Sequence, residues 1–291
     1  METDSFAAFV LTHGRAGRVK TVRTLRRQGY TGRVVVLIDD EDEEAENYMA
    51  EFPEVEVFCK EDYVKSCDTM CPTSDKRRGV ILYARNAAQD VARRLGIRYI
   101  VELDDDYVDF ELRQKTGKKL AVRPANDLDA LFAAFVGFLR ESGVKTVALS
   151  QGGDLIGGAK GQFSKGVMWK RKAMNSFFID VENPVEFIGA VNEDVNTYAL
   201  AGGTGDVFLT YMPTSLVQTQ TQKSKGGMSG EYKDDGTWAK TMFSVVARPD
   251  CVSVSRMGQT NMRIHHNIDW RACCPKIVRG EFRKGRASDK A

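Results

Sequence analysis

The chain has 291 residues, with 42 Lys and Arg against 40 Asp and Glu and a formal net charge of +2. With 42% apolar and 28% charged residues it has the composition of a water-soluble globular protein, long enough for one large or two small domains with a real core. No run reaches the roughly 18 apolar residues of a membrane span, and Met1-Glu2-Thr3-Asp4 lacks the features of a signal peptide, so a cytoplasmic protein with no membrane partner is expected. Six cysteines without a regular framework and only three histidines favour reduced thiols over a disulfide scaffold or a Cys/His zinc site.

Phe6–Leu11 is a short apolar run, the first predicted strand, and it ends in Thr12-His13-Gly14-Arg15. Ala16, Val19, Val22 and Leu25 recur every three residues and predict a helix closed by Gly29. Val34–Ile38 is uniformly apolar, which suits a parallel strand covered on both faces, and it ends in Asp39-Asp40. Residues 42–51 read as an acidic helix, Val55–Phe58 as an edge strand and 59–79 as a loop. Ala84, Ala87, Ala88, Val91, Ala92 and Leu95 mark one face of a helix that Gly96 ends. The strand that follows, Tyr99–Leu103, runs into Asp104-Asp105-Asp106. This alternation predicts a doubly wound α/β fold, in which ligands bind beyond the carboxyl ends of the parallel strands.

Residues 111–124 read as a hairpin or loop, and Leu128–Leu139 as a helix with Asn126 as candidate N-cap. Thr146–Ser150 is another strand. Six glycines over 152–166 form neither a Walker loop nor a Rossmann fingerprint, and predict a mobile loop near the site. Met168–Lys170 and Phe177–Ile179 read as short strands. Asn192-Glu193-Asp194-Val195-Asn196 predicts one or two helical turns, then a Gly202-Gly203-Thr204-Gly205 turn and the strand Val207–Tyr211. Residues 218–236 read as a lid, 237–247 as a helix, Met262–His266 as a last strand and 279–291 as a basic tail.

Three strand ends therefore converge on one rim: Thr12-His13-Gly14-Arg15, Asp39-Asp40 and Asp104-Asp105-Asp106. Three adjacent carboxylates repel one another, and a hard divalent cation shared with substrate phosphates would relieve them. Arg15 or Arg18 offers a forked donor to a diphosphate, the Thr12 and Gly14 main chain could do the same, and Asp39 or Asp40 is placed to receive a ribose hydroxyl or base edge. Glu193-Asp194 supplies carboxylates able to act as general base, and His265-His266 a possible metal ligand. Basic clusters at 15–33, 76–78, 165–172, 223–225 and 279–290 suit phosphate binding.

Taken in order, the Thr-His-Gly-Arg strand end, the Ala84-Arg85-Asn86 helix, Leu103-Asp104-Asp105-Asp106, Asn192-Glu193-Asp194 and a C-terminal His resemble a GT-A glycosyltransferase. Asn192–Tyr198 with its Gly-Gly-Thr-Gly turn is similar, more narrowly, to the TET-associated glycosyltransferases of bacteriophages, which are linked to sugar transfer onto 5-hydroxymethylcytosine in DNA. The resemblance spans residues 6–270. It implies a Rossmann-related α/β sandwich around a central, mostly parallel sheet. It implies a single catalytic domain over 1–278, with a nucleotide-sugar half (1–110) and an acceptor half (111–278). Asp104 and Asp106 are the implied Asp-x-Asp pair, with Asp105 left in play, and His265 or His266 the further metal ligand. Thr12, Gly14, Arg15, Asp39, Arg85 and Asn86 fall on the donor side, and Asp194 or Glu193 supplies the base. The implied cofactors are a divalent metal (Mn or Mg) and a nucleotide-sugar, expected to be UDP-linked. The implied partner is DNA containing 5-hydroxymethylcytosine. A protein or glycan acceptor, a nucleotidyltransferase and a non-enzymatic nucleic-acid-binding module are the competing readings. The sequence leaves the stereochemistry and the oligomeric state open.

Overall fold

The computed structural model describes residues 5–71, 78–171, 173–218, 241–257 and 263–276. Its first half alternates β1 (Phe6–Leu11), α1 (Thr21–Arg27), β2 (Arg33–Asp39), α2 (Ala45–Glu51), β3 (Val55–Phe58), α3 (Lys60–Ser66), α4 (Leu82–Arg94) and β4 (Tyr99–Asp104). The second half holds β5 (Tyr107–Thr116), β6 (Lys119–Pro124), α5 (Leu128–Ser142), β7 (Thr146–Ser150), β8 (Val167–Met168), β9 (Ser176–Asp180), α6 (Glu193–Thr204) and β10 (Phe208–Gln218). A separate two-stranded ribbon pairs β11 (Val252–Met257) with β12 (Arg263–Ile268).

The large sheet runs in the order β3-β2-β1-β4-β9-β7-β10-β5-β6, with β8 alongside β10. From β3 to β4 every pairing is parallel. β9 then inserts antiparallel between β4 and β7, and β7 pairs in parallel with β10. Leu11 pairs with both Leu37 and Asp104, so the ends of β1, β2 and β4 lie level on one rim.

Consecutive side chains on these strands enter two different cores, as strand geometry requires. Ala7, Phe9, Leu11, Val35, Leu37 and Ile100 pack toward α4 on one face. Ala8, Val10, Val36, Ile38, Val101 and Leu103 pack toward α1 and α5 on the other. Phe178 of β9 is fully buried, with its ring centroid 4.8 Å from Phe135 and 5.2 Å from Phe132 of α5. Sheets covered on both faces need uniformly apolar strands, which is the pattern of Val34–Ile38.

Several elements differ from the sequence expectation. The predicted loop at 59–79 contains α3, which is too short to show a periodic stripe. The N-cap of α5 is Asp127, not Asn126: the Asp127 side chain accepts a hydrogen bond from the Ala130 N–H at 3.0 Å. α6 runs for 12 residues, through the glycines expected to form a turn. The 152–166 segment, expected to be a mobile loop, forms three short 3-10 turns at Gly152–Leu155, Gly158–Lys160 and Gln162–Lys165. β10 extends to Gln218, and β11 escaped prediction altogether. Residues 241–247 are helical, within the helix expected at 237–247. The expected lid lies, beyond Gln218, outside the described residues, as do the tail and the Lys76-Arg77 and Lys223/Lys225 cations. Among the described residues no helix is long and apolar enough to cross a membrane.

Candidate active site

The rim is built by backbone bonds before any side chain acts on a ligand. At the start of α1, the Lys20 N–H donates to the Asp105 carbonyl at 2.8 Å, and the Thr21 hydroxyl to the Asp104 carbonyl at 2.6 Å. These bonds give the three aspartates different directions. Asp105 turns toward β1, where it accepts from the Thr12 hydroxyl at 2.7 Å and from the Arg15 guanidinium at 2.8 Å. Asp104 turns toward α4 and meets Arg85 at 3.1 Å. The carboxyl of Asp106 is pushed up to about 7 by burial and by the charges of Asp104 and Asp105, against the opposing pull of Arg15.

The turn after β1 does not present the main-chain anion cradle expected of Thr12 and Gly14. The Thr12 N–H goes to the Leu37 carbonyl, and the Gly14 N–H to the Asp42 carboxylate at 2.9 Å. The N–H groups of Ala16 and Gly17 go to Glu44 and Glu51, and that of Arg15 to the Tyr48 hydroxyl at 2.7 Å. The acidic 39–51 stretch thus folds against the basic turn and takes its donors. Tyr48, which no sequence signal marked, also lies 3.1 Å from the Thr12 hydroxyl.

Asp39 is buried and shared. One carboxylate oxygen bonds His13 Nδ1 at 2.7 Å, and the other bonds the buried Lys60 ammonium at 2.7 Å. Burial alone would raise the Asp39 carboxyl, but these two hydrogen bonds hold it below the usual carboxylate range. The exposed member of this group is His13, whose side chain keeps 43% of its accessibility.

Arg85 is the junction of the site. It is 2% exposed, and its guanidinium carbon sits 4.9 Å from the ring centroid of Phe177. Its Nε donates to Glu193 at 3.1 Å, one terminal nitrogen reaches Asp104 at 3.1 Å and the other lies 3.7 Å from Glu102. One side chain therefore joins the Asp-x-Asp turn to the Glu193-Asp194 pair, two features that are 89 residues apart in sequence if counted from Asp104 to Glu193. Burial disfavours the Arg85 charge, yet Asp104, Glu193 and Glu102 more than offset this and raise its pKa. Burial and the neighbouring Asp194 push the Glu193 carboxyl up to about 7 in spite of Arg85.

Asn86, the neighbour of Arg85, donates to the Leu82 and Phe187 carbonyls and accepts from the Phe187 N–H. Its carboxamide fastens the 185–188 segment to α4. Asp194 is buried at the first turn of α6, where it accepts from the Val195 N–H at 2.8 Å. Asn192 does not cap that helix with its side chain; its amide donates to Ser244 at 3.1 Å. The helical stretch 241–247 also reaches β12, where Thr241 donates to the Ile264 carbonyl at 3.3 Å. His265 and His266 follow on that strand. Strand alternation predicts rings on opposite faces, but the two centroids are 4.3 Å apart. The ribbon is two-stranded, and such ribbons twist more strongly than wide sheets.

The residues fit a hard cation. Glu102 is fully buried, both its carboxyl oxygens lack a hydrogen-bond partner, and burial holds its pKa well above normal. Asp104 is raised as well, by burial first, against Arg85. Among the described residues, Glu102, Asp104, Asp105 and Glu193 reach Arg15 or Arg85, Asp106 feels the charge of Arg15, and Asp194 adjoins Glu193, which gathers six carboxyl groups at one rim. Among the described residues no three His, Cys, Asp or Glu form a ready cation cage. Ions of the magnesium type are usually held by one or two carboxylates plus substrate phosphates, so a preassembled cage is not required.

The site thus joins a parallel-strand rim, a carboxylate turn and a second buried carboxylate pair. The family model described as TET-Associated Glycosyltransferase matches residues 6–227, and the chain belongs to that family. It is a nucleotide-sugar glycosyltransferase. No curated protein matches the chain. Among solved structures, glucosyl-3-phosphoglycerate synthase from Mycobacterium tuberculosis is similar at 10% identity and a TM-score of 0.45, over 86% of this chain and 84% of that one. The same enzyme with Mn2+, UDP-glucose and phosphoglyceric acid gives 10% identity and a TM-score of 0.41, over 89% and 85%. Mannose-1-phosphate geranyltransferase from Thermus thermophilus gives 12% identity and a TM-score of 0.27, over 50% and 41%.

Proposed function

We propose that the protein moves a sugar from a UDP-linked donor to the hydroxymethyl group of 5-hydroxymethylcytosine in DNA, with the help of a divalent cation, Mn or Mg. The observation that carries this reading is the Arg85 junction: it sets a cation-hungry carboxylate turn within one guanidinium of a second carboxylate pair. A donor side and an acceptor side of one reaction need that proximity. Family membership supports the sugar chemistry and the DNA acceptor.

Asp104 and Asp106, with His265 or His266, would hold the cation. When bound, it supplies positive charge for the departing diphosphate. Arg15, anchored by Asp105, faces the same rim and adds a fixed cation for phosphate. Glu193 is tied to Arg85, so Asp194 takes the role of general base. It accepts the proton of the acceptor hydroxyl as that oxygen bonds to the anomeric carbon and the bond to the nucleoside diphosphate breaks. The nucleotide-sugar half is residues 1–110 and the acceptor half 111–278, within one catalytic domain.

The test uses UDP-sugars with Mn2+ and DNA with or without 5-hydroxymethylcytosine. Sugar is expected on the modified DNA alone, with release of nucleoside diphosphate. Asp106→Ala should lose at least about a hundredfold in turnover with the fold intact, as electrostatic stabilisation of that size would imply. Equal inertness of both DNAs would overturn the acceptor. Release of pyrophosphate would mark a nucleotidyltransferase instead.

A further inference from the structure

The glycine-rich segment before β9 is not absorbed by the site described above. Its first and third 3-10 turns pack on β10 and its second on β6, around a small core of Phe163, Met168 and Met212. Besides Val167, at 47%, two larger apolar side chains are nevertheless exposed: Ile156 at 77% and Trp169 at 44%. Scattered exposed apolar residues are ordinary, but here both flank one ion pair, Arg171 with the buried Asp154. Each lies two residues from its member of that pair. The turn closes tightly behind Ile156: a Cβ at Gly161 would sit 2.3 Å from the Ile156 carbonyl oxygen.

Trp169 is anchored to the catalytic helix. Its carbonyl accepts hydrogen bonds from the Tyr198 hydroxyl and, at 3.3 Å, from the Cys274 thiol. Tyr198 is one turn beyond Asp194 on α6, and residues four apart share a helix face. The Trp169 main chain is thus fixed to the stripe of α6 that begins at Asp194. Apart from Asp154, which is paired with Arg171, the charge of this stretch of chain is positive. Lys160, Lys165 and Lys170 are exposed, Lys170 sits 5.1 Å from the Trp169 ring centroid, and no acid occurs from Leu155 to Lys170.

We infer that this surface is where the nucleic acid docks: Trp169 stacks on an unpaired base beside the target, Ile156 wedges against the neighbouring step, and the three lysines hold phosphates. The inference rests on the DNA-acceptor reading and adds to it the surface that receives the strand. Exposed aromatics interleaved with cations are the recognition chemistry of unstacked strands, and a base must leave the duplex before its hydroxymethyl group can reach a buried carboxylate. A neutral glycan has no use for the three lysines, and base stacking, unlike charge attraction, separates a nucleic acid from an acidic protein.

The test measures binding of a labelled oligonucleotide with one 5-hydroxymethylcytosine, single-stranded and in duplex, by fluorescence anisotropy over a range of salt. Heparin serves as a polyanion without bases. Lys160→Glu/Lys165→Glu/Lys170→Glu should weaken DNA binding at least about tenfold and reduce the salt slope for single strands by about two. Trp169→Ala should weaken single-strand binding about tenfold and leave heparin binding unchanged, while Trp169→Phe stays near the native value. All replaced side chains are exposed, and circular dichroism verifies the fold. Native affinity of Trp169→Ala for DNA overturns the inference, whatever the lysines do. If the native chain still modifies DNA in that case, the function stands and only this surface falls. Weakened binding in Trp169→Ala, with no sugar transfer by the native chain, leaves the surface and overturns the function.

Discussion

Arg85, expected on the nucleotide-sugar side, is the residue through which the two carboxylate groups meet. In the fold it is 2% exposed and spends its guanidinium on Glu193, Asp104 and Glu102. Arg85→Met strands those carboxylates without their cation, and removing one member of a buried pair costs about 3–5 kcal/mol. Chemical denaturation should show that loss, and sugar transfer should vanish. Arg85→Lys should retain more stability but little turnover, because an ammonium cannot span Asp104 and Glu193 as a planar fork does. His13 offers a pH test at the same scale. Its hydrogen bond to Asp39, aided by that residue's charge, raises its pKa above 6.5 despite partial burial and the nearby Lys60. A histidine whose folded pKa is raised contributes stability in full below the unfolded value, and loses it as pH rises through the folded value. NMR titration of His13 should therefore give a midpoint above 6.5 that falls in Asp39→Asn. An unchanged midpoint would remove Asp39 as the cause.

Among the elements, α6 departs furthest from its sequence pattern. Gly202 and Gly203 argue for a turn on propensity, since each glycine costs about 1 kcal/mol in a helix relative to alanine. The helix keeps them because other chain segments come too close. A Cβ at Gly202 would stand 2.3 Å from the Cys273 carbonyl oxygen, and one at Gly203 would meet the Arg248 guanidinium. Gly202→Ala should gain that propensity yet lose more to overpacking, which costs about 1–3 kcal/mol against backbone. A denaturation midpoint at or above the native one would show that the Cys273 segment yields. The glycines of 152–166 show close approach in another place: they permit three tight 3-10 turns, packed on β10 and β6.

At the scale of the whole molecule, the carboxylates of the rim leave the fold carrying repulsion that a ligand can relieve. A cation and a nucleoside diphosphate that bind only the folded chain stabilise it by mass action, about 2.7 kcal/mol at a hundredfold excess over Kd. Mn2+ with UDP should raise the melting temperature more than the sum of either alone. Asp106→Ala should lose the Mn2+ share, and an equal rise in that variant would exclude Asp106 from the cation site.

The sequence by itself determined the parallel half of the sheet, the level rim of three strand ends and the family. Those features are local: apolar runs of strand length, helical stripes with glycine stops, and short motifs in a fixed order. The Asp104–Asp106 turn was legible because it closes a strand with charges that need company. Tyr48, Lys60 and Trp169 carried no such signal. A tyrosine in an acidic helix, a lysine in a polar loop and a tryptophan beside glycines each look ordinary until long-range packing supplies a partner. The tertiary structure alone decided which aspartate turns to Arg15 and which to Arg85, and that the acidic 39–51 stretch takes the main-chain donors of the 13–17 turn. It also brought Glu193 to Asp104. Such contacts join residues scores of positions apart, and their geometry is fixed by how strands and helices close on a common core, which no window of sequence contains.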